Sequence, residues 1–431
     1  MKAMKAINGT KLHTPARVLL GACLCLLLAA AAAAQGDLTG GVGQFAIQPK
    51  KEKLVASAKP KAPTVRRGPR ATANDRLIAA AASSAGGGAS VAGTLKAGAD
   101  ANAKSEEGCA ALVYAVAAKN AEATQSLLEK GADANSRCAD GVTALMVAAE
   151  AGDEPVAQAL VSRGTDTNAK TEDGRTALMF AASSGQLAVV RALVAKGADV
   201  NARYRDGRTA LTFAAANGFA EVAEELIAKG AAVDARADDG WTPLLWASWF
   251  GHADVVKLLL DKGADVRARD KDKDTALMKA ATQGHVPVVK MLLDKGAEAD
   301  ARGNGGGTAL LFAASRPAGY DVAEALLAKG ADVNARNDAG MTPTILAAAY
   351  GRIPTLEVFF TKGADVNAHT PKGFNALIAA ANKGLASTAQ LLIEHGADVN
   401  AKYEDGRTAL NFAEQNGQTK VVEVLKAAGA K

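Results

Sequence analysis

Apolar positions along most of this chain recur in a fixed block. In Gly174-Arg175-Thr176-Ala177-Leu178-Met179-Phe180-Ala181-Ala182-Ser183-Ser184-Gly185, a polar opening leads into six apolar or small residues, and a glycine closes the block. The block returns with its threonine at 143, 176, 209, 242, 275 and 308, always 33 residues apart. It comes again at Thr342 after 34 residues, then at Asn375 and Thr408. Backwards it reaches Ala110 and, more faintly, Leu77, which makes eleven units. Beyond the closing glycine, residues such as Val189, Val190, Leu193 and Val194 keep a helical spacing and predict a second helix. Gly197 and its equivalents end that helix, because the position after a helix favours a left-handed residue that glycine adopts without strain. Asp-Val-Asn-Ala and the following Asp-Gly supply polar hairpin chemistry. Two short helices cannot bury their apolar faces alone, so the units must stack into one continuous core. The pattern predicts an all-α solenoid over residues 75–431, with hairpin fingers between its helix pairs.

These residues resemble the ankyrin repeat, whose pattern is Thr-Pro-Leu-His, then Ala-Ala, Gly-His, Leu-Leu and Gly-Ala-Asp-Val-Asn-Ala. Trp241-Thr242-Pro243-Leu244 and Gly251-His252-Ala253-Asp254-Val255-Val256 stand near that pattern. Most units read Thr-Ala-Leu instead. The family's histidine after the leucine is replaced by Met146, Met179, Leu245 or Leu311, with Thr212 and Asn411 as polar exceptions. Apolar packing is expected to take over from the hydrogen bonds which that histidine makes. The resemblance implies a scaffold that binds a protein partner through its concave surface.

Composition agrees with close-packed repeats, since aromatics are only 4% of the chain while glycine numbers 43. Charge divides unevenly along the sequence. Residues 1–34 carry +4, residues 35–74 carry +6, and the remaining residues carry −5. A nucleic-acid surface would need clustered Lys and Arg on the fold itself, so that reading is set aside. Lys2, Lys5, Lys11 and Arg17 precede the apolar run Val18 to Ala34, and Ala32-Ala33-Ala34 fits a small-residue cleavage site. Residues 1–34 are therefore expected to be a signal peptide, with an uncleaved anchor as the rival. Its removal would leave no window apolar enough to span a membrane, and would place the protein in a periplasm or outside the cell. Residues 35–74, rich in Lys, Pro, Ala and Arg without apolar periodicity, are expected to form a disordered basic linker.

No chemistry of catalysis emerges. His252, His285, His369 and His395 lie in separate units without zinc spacing. Gly303 to Gly307 lacks the Gly-Lys-Ser/Thr ending of a phosphate loop and is expected to be a flexible turn. Asp100, Asp133, Asp199, Asp265, Asp332, Asp365 and Asp398 share one turn position, and Asn102 with its equivalents another. Recurrence of that kind marks a structural role, because a catalytic pair is needed once. No cofactor or metal is expected, and the alternatives are an effector acting on another cell or an enzymatic activity attached to the array.

The departures from the repeat locate the candidate surface. The family's concave positions fall just before the frame residue, the Thr or substitute opening each unit, and seven and eight residues after it. There most units hold small or polar residues. The Thr242 unit holds Trp241, Trp249 and Phe250, and other units offer Arg175, Arg208, Met341, Tyr350, Phe374 and Arg407. An exposed apolar cluster tends to mark an interface, so Trp241, Trp249 and Phe250 are expected to centre partner binding, with Arg208, Arg175 and Tyr350 contributing. Trp246 falls where the helices pack and is expected in the core. Cys109 and Cys138 lie in fingers of successive units, at different places within the finger, and form a possible disulfide.

Overall fold

The computed structural model describes residues 57–65, 71–84 and 87–431. The expected signal peptide and most of the expected linker lie outside the described residues. Among the described residues there are 22 helices in eleven consecutive pairs and no strand beyond isolated bridges. The first pair is Ala73–Ala81 with Gly87–Lys96, and the last is Ala409–Gln415 with Thr419–Ala427. Each first helix packs on the first helix of the next unit, and most second helices stack likewise.

The local chemistry repeats with the sequence. Thr176 caps Ala177–Ser183 by accepting the Met179 amide on its hydroxyl, and Thr143, Thr242, Thr275, Thr308 and Thr342 do the same in their units. Such a cap satisfies an amide that no intrahelical carbonyl reaches. The polar exceptions Thr212 and Asn411 bond back to the amides of Thr209 and Thr408 and complete capping boxes. Ala181 and Ala182 are fully buried, which lets neighbouring first helices approach closely, while Leu193, Leu226 and Leu259 seal the second layer. Each such leucine contributes about 1.5–3 kcal/mol of burial.

The turn residues form ladders across units. Asn102 Oδ1 accepts the Asp133 amide at 2.7 Å, Asn135 accepts Asp166 at 2.8 Å, and the pattern runs to Asn400 with Lys431 at 3.0 Å, with Asp234 and Asp300 standing in for asparagine and a break at Arg267. Fingers are linked as well. The Asp140 carbonyl accepts the Glu172 amide, Asp173 accepts Arg205, and Asp206, Asp239, Asp272, Gly305 and Lys372 continue the series. The rung from Ala339 is missing because its partner position is Pro371, which has no N–H.

The glycines at 303–307 serve close packing as well as turning. Asn304–Gly306 is a short 3-10 turn, and a Cβ on Gly303 would collide with the Asp274 carboxylate of the preceding finger. The segment Ser57–Val65 is neither helix nor strand, and it is tied to the array at both ends. Two of those ties run through backbone amides, so the segment needs no periodicity of side chains to make them.

Candidate functional site

In several units three positions meet where finger joins first helix: five before the frame residue, one before it, and four after. In the Thr209 unit these are Tyr204, Arg208 and Phe213. The Arg208 guanidinium lies 5.2 Å from the Tyr204 ring and 5.1 Å from the Phe213 ring, and the two rings meet edge to face at 6.1 Å. Its Nε donates to Asp206 Oδ2 at 2.8 Å across the Gly207 turn, where φ is +85°. Arg175 is arranged alike, 5.1 Å from the Phe180 ring and donating to Asp173 at 3.1 Å. Burial would raise the Asp173 carboxyl, but Arg175 and Thr171 outweigh it and hold it below its ordinary value. Arg407 stands 4.2 Å from the Phe412 ring. Each arginine is thus half-buried and fixed by its own unit, its planar fork preset in orientation.

The Thr242 unit places its rings differently from the sequence expectation. Trp241 and Trp249 are each only 8% exposed, so neither belongs to an exposed cluster. Trp241 packs at 4.5 Å on Trp246 and at 6.0 Å, edge to face, on Trp249, and Lys279 of the next unit lies 4.8 Å from its ring centre. The neighbouring side chains are large enough to cover both indoles. Trp246, expected in the core, is instead half-buried and stacks on half-buried Phe250 at 6.0 Å. Arg208 reaches within 5.9 Å of the Trp246 ring. Trp241 and Trp249 form a floor, above which Trp246, Phe250 and Arg208 keep part of their surface open. Tyr350, eight residues after its frame residue as Phe250 is after its own, is 40% exposed. Met341 and Phe374 are buried.

The next unit holds a group that sequence reasoning missed. Lys279, only 7% exposed, places Nζ 2.8 Å from Asp274 Oδ2 and 2.7 Å from Asp270 Oδ2. Burial pushes the Asp274 carboxyl up against the pull of Lys279. Burial alone would pull the Lys279 ammonium down, but Asp274 and Asp270 outweigh it and hold it above its ordinary value. The signal was available: Lys279 is a charge four residues after the frame, where Phe180, Phe213, Trp246 and Phe412 stand elsewhere. Its counter-charges occupy the other two positions of the same trio.

Cys109 and Cys138 are joined, with S–S 1.97 Å. Their offset within the finger is what brings them together, since adjacent fingers meet through opposite arms. His252 and His285 each aim Nε2 at a carbonyl of the preceding unit, Ala216 O at 3.1 Å and Trp249 O at 3.0 Å. Burial holds the His285 imidazole below its ordinary value. Among the described residues no three His, Cys, Asp or Glu side chains are grouped to hold a metal, and no helix is long and apolar enough to cross a membrane.

An array of equivalent helix pairs whose distinctive residues recur at the same frame positions belongs to the class of stacked-repeat scaffolds. A family model described as Ankyrin repeats (3 copies) matches residues 77–171, 139–204, 178–270, 265–337 and 339–431. The chain belongs to the ankyrin-repeat family. Such repeats serve protein–protein interaction, and the proteins built from them are typically scaffolds without enzymatic activity. No curated protein matches the chain.

Proposed function

We propose that this protein is an exported scaffold that holds a protein partner on the face formed by its fingers and first helices, without catalysing a reaction. The observation that carries the reading is the half-open row of Arg208, Trp246 and Phe250, continued by exposed Tyr350. Arg208, Trp246 and Tyr350 are of the types found most often as interface hot spots, and Arg208, Trp246 and Phe250 lie beside a floor of buried Trp241 and Trp249. A rigid aromatic floor reduces the ordering that a partner must impose on binding. Export rests on the charged start, the apolar run and the alanine triplet of residues 1–34. A leader of that kind supports a scaffold that works in a periplasm or in the medium.

Affinity capture with the full chain from the source cell, identified by mass spectrometry, provides the partner. Phe250→Ala with Tyr350→Ala is then expected to weaken capture by tens of fold or more, about 2 kcal/mol per hot spot, with the melting temperature unmoved. Unchanged affinity in that double variant moves the binding site elsewhere along the face. N-terminal sequencing of the native protein is expected to begin near Gln35.

A further inference from the structure

The segment Ser57–Val65 precedes the array, yet it lies on the same face that the proposed function assigns to a partner. The Ala58 amide donates to Glu150 Oε2 at 2.7 Å, and the Ser57 hydroxyl donates to the same oxygen at 3.0 Å. The Thr64 amide donates to Glu107 Oε1 at 2.8 Å. Ala58 is 1% exposed, and Pro60, Pro63 and Val65 are half-buried, while Lys59 and Lys61 face solvent. The chain therefore passes from the third unit to the second before entering the first helix at Thr72.

Both anchoring carboxylates break the repeat. Seven residues after the frame, where Glu150 stands, the other units carry Ala117, Ser183, Ala216, Trp249, Thr282, Ser315, Ala349, Asn382 or Gln415. Glu107 occupies the position that is aspartate at 140, 206, 239 and 405, where the carboxylate turns inward to the amide two residues on. One methylene more lets Glu107 reach outward. Ser105 and Tyr114 support it, with their hydroxyls 3.0 Å apart and Tyr114 Oη 3.5 Å from Glu107 Oε2. Its bonds to Thr64 and Ser105 hold its carboxyl down at about 2.

The segment is also preshaped for its place. Pro60 and Pro63 fix their own backbone and bias Lys59 and Ala62 toward extended conformations, so little freedom is lost on docking. Charge favours the contact too, since residues 35–74 carry +6 and residues 75–431 carry −5.

We infer that the finger-and-helix face of the second and third units is a groove for an extended peptide, and that its occupant is this chain's own Ser57–Val65. The chemistry it selects is a strand of small and proline residues that offers two backbone amides to Glu150 and Glu107 and seats one alanine. A partner of the array is thereby confined to the units beyond, where Arg208, Phe250 and Tyr350 lie. This deepens the reading of that face as a binding face.

Hydrogen–deuterium exchange on the full chain tests the groove directly. Residues 57–65 are expected to exchange about tenfold or more slowly than in a free peptide of the same sequence. Ala58→Asp, which brings a second carboxylate against Glu150 without altering the array, is expected to abolish that protection. Glu107→Ala with Glu150→Ala is expected to do the same, with exchange in the units from 176 onward unchanged. Free-peptide exchange in the wild type, or protection that survives both variants, overturns the inference. Protection that rises with protein concentration alongside a dimeric mass overturns it in favour of a second copy as occupant. None of these readouts involves a partner, so they stand or fall separately from the capture experiment.

Discussion

The Thr209 and Thr275 units fill the same three positions with opposite chemistry. Tyr204, Arg208 and Phe213 form a stack in which one guanidinium packs against two rings that also meet each other edge to face, and its charge is met by Asp206 outside the trio. Asp270, Asp274 and Lys279 form a charged triad in which every member depends on the others. The stack needs no concession from the following finger, which has Ala237 at the corresponding position. The triad needs Gly303 there, because Asp274 leaves no room for a Cβ. Gly303 has φ −83°, an extended backbone open to any residue, so the close approach alone requires glycine. The difference shows that a repeat constrains the volume between finger and helix more tightly than the chemistry that fills it.

The sharpest way to break the comparison is Lys279→Met. It strands two carboxylates in a buried place, and a loss of about 3–5 kcal/mol is expected in the stability of this unit. Denaturant unfolding of the full chain, combined with amide exchange across Ala276–Gln283, reads the loss and its location. A loss below about 1 kcal/mol would mean that water already reaches the triad.

A smaller effect, of opposite sign, is expected on importing the stack whole. Asp270→Tyr, Asp274→Arg, Lys279→Phe and Gly303→Ala together recreate the Thr209 arrangement, with Asp272 placed as Asp206 is. Replacement of a buried ionic group by well-packed residues is commonly neutral or stabilising by about 1–4 kcal/mol. The melting temperature of the full chain should hold or rise. A clear fall would show that the trio is tuned to its neighbours and is not an exchangeable module.

Least disruptive is Arg208→Ala, expected to cost about 1 kcal/mol through the lost ring contacts and the half-screened ion pair. Arg208→Lys should recover little of it, because an ammonium cannot reproduce the flat fork against two rings. Thermal melts of the two variants side by side decide the point.

The fold was legible in the sequence because recurrence multiplies a weak local signal: eleven copies of one frame fix helices, caps and turns together. The site was legible only in part. Position in the frame told which side Trp241 and Trp249 occupy, but burial depends on the size of neighbours contributed by adjacent units. Scoring Arg175 and Arg208 one by one hid their pairing with Phe180 and Phe213, five residues on and across a helix start. Lys279 could have been found by reading down the column of equivalent positions for a charge among aromatics. The placement of Ser57–Val65 left a trace only on the acceptor side, where Glu107 and Glu150 break their columns, since the segment's own ties run mainly through main-chain amides that every residue but proline possesses.

Seen as a mechanical object, the row of fingers is a line of springs with unequal couplings. Between the fingers of Cys109 and Cys138 the coupling is a covalent bond, and from Asp140 to Gly305 it is one main-chain hydrogen bond at each step, with an arginine side chain added from Arg203 onward. At Ala339 and Pro371 the main-chain bond is absent, and the exposed side chain of Arg336, donating to the His369 carbonyl, is left to join the two fingers. Bending is resisted most at the covalent end and least at the proline, so compliance is concentrated near the last two units. A load applied along the array peels those units first and spares the rows of Arg208, Phe250 and Tyr350.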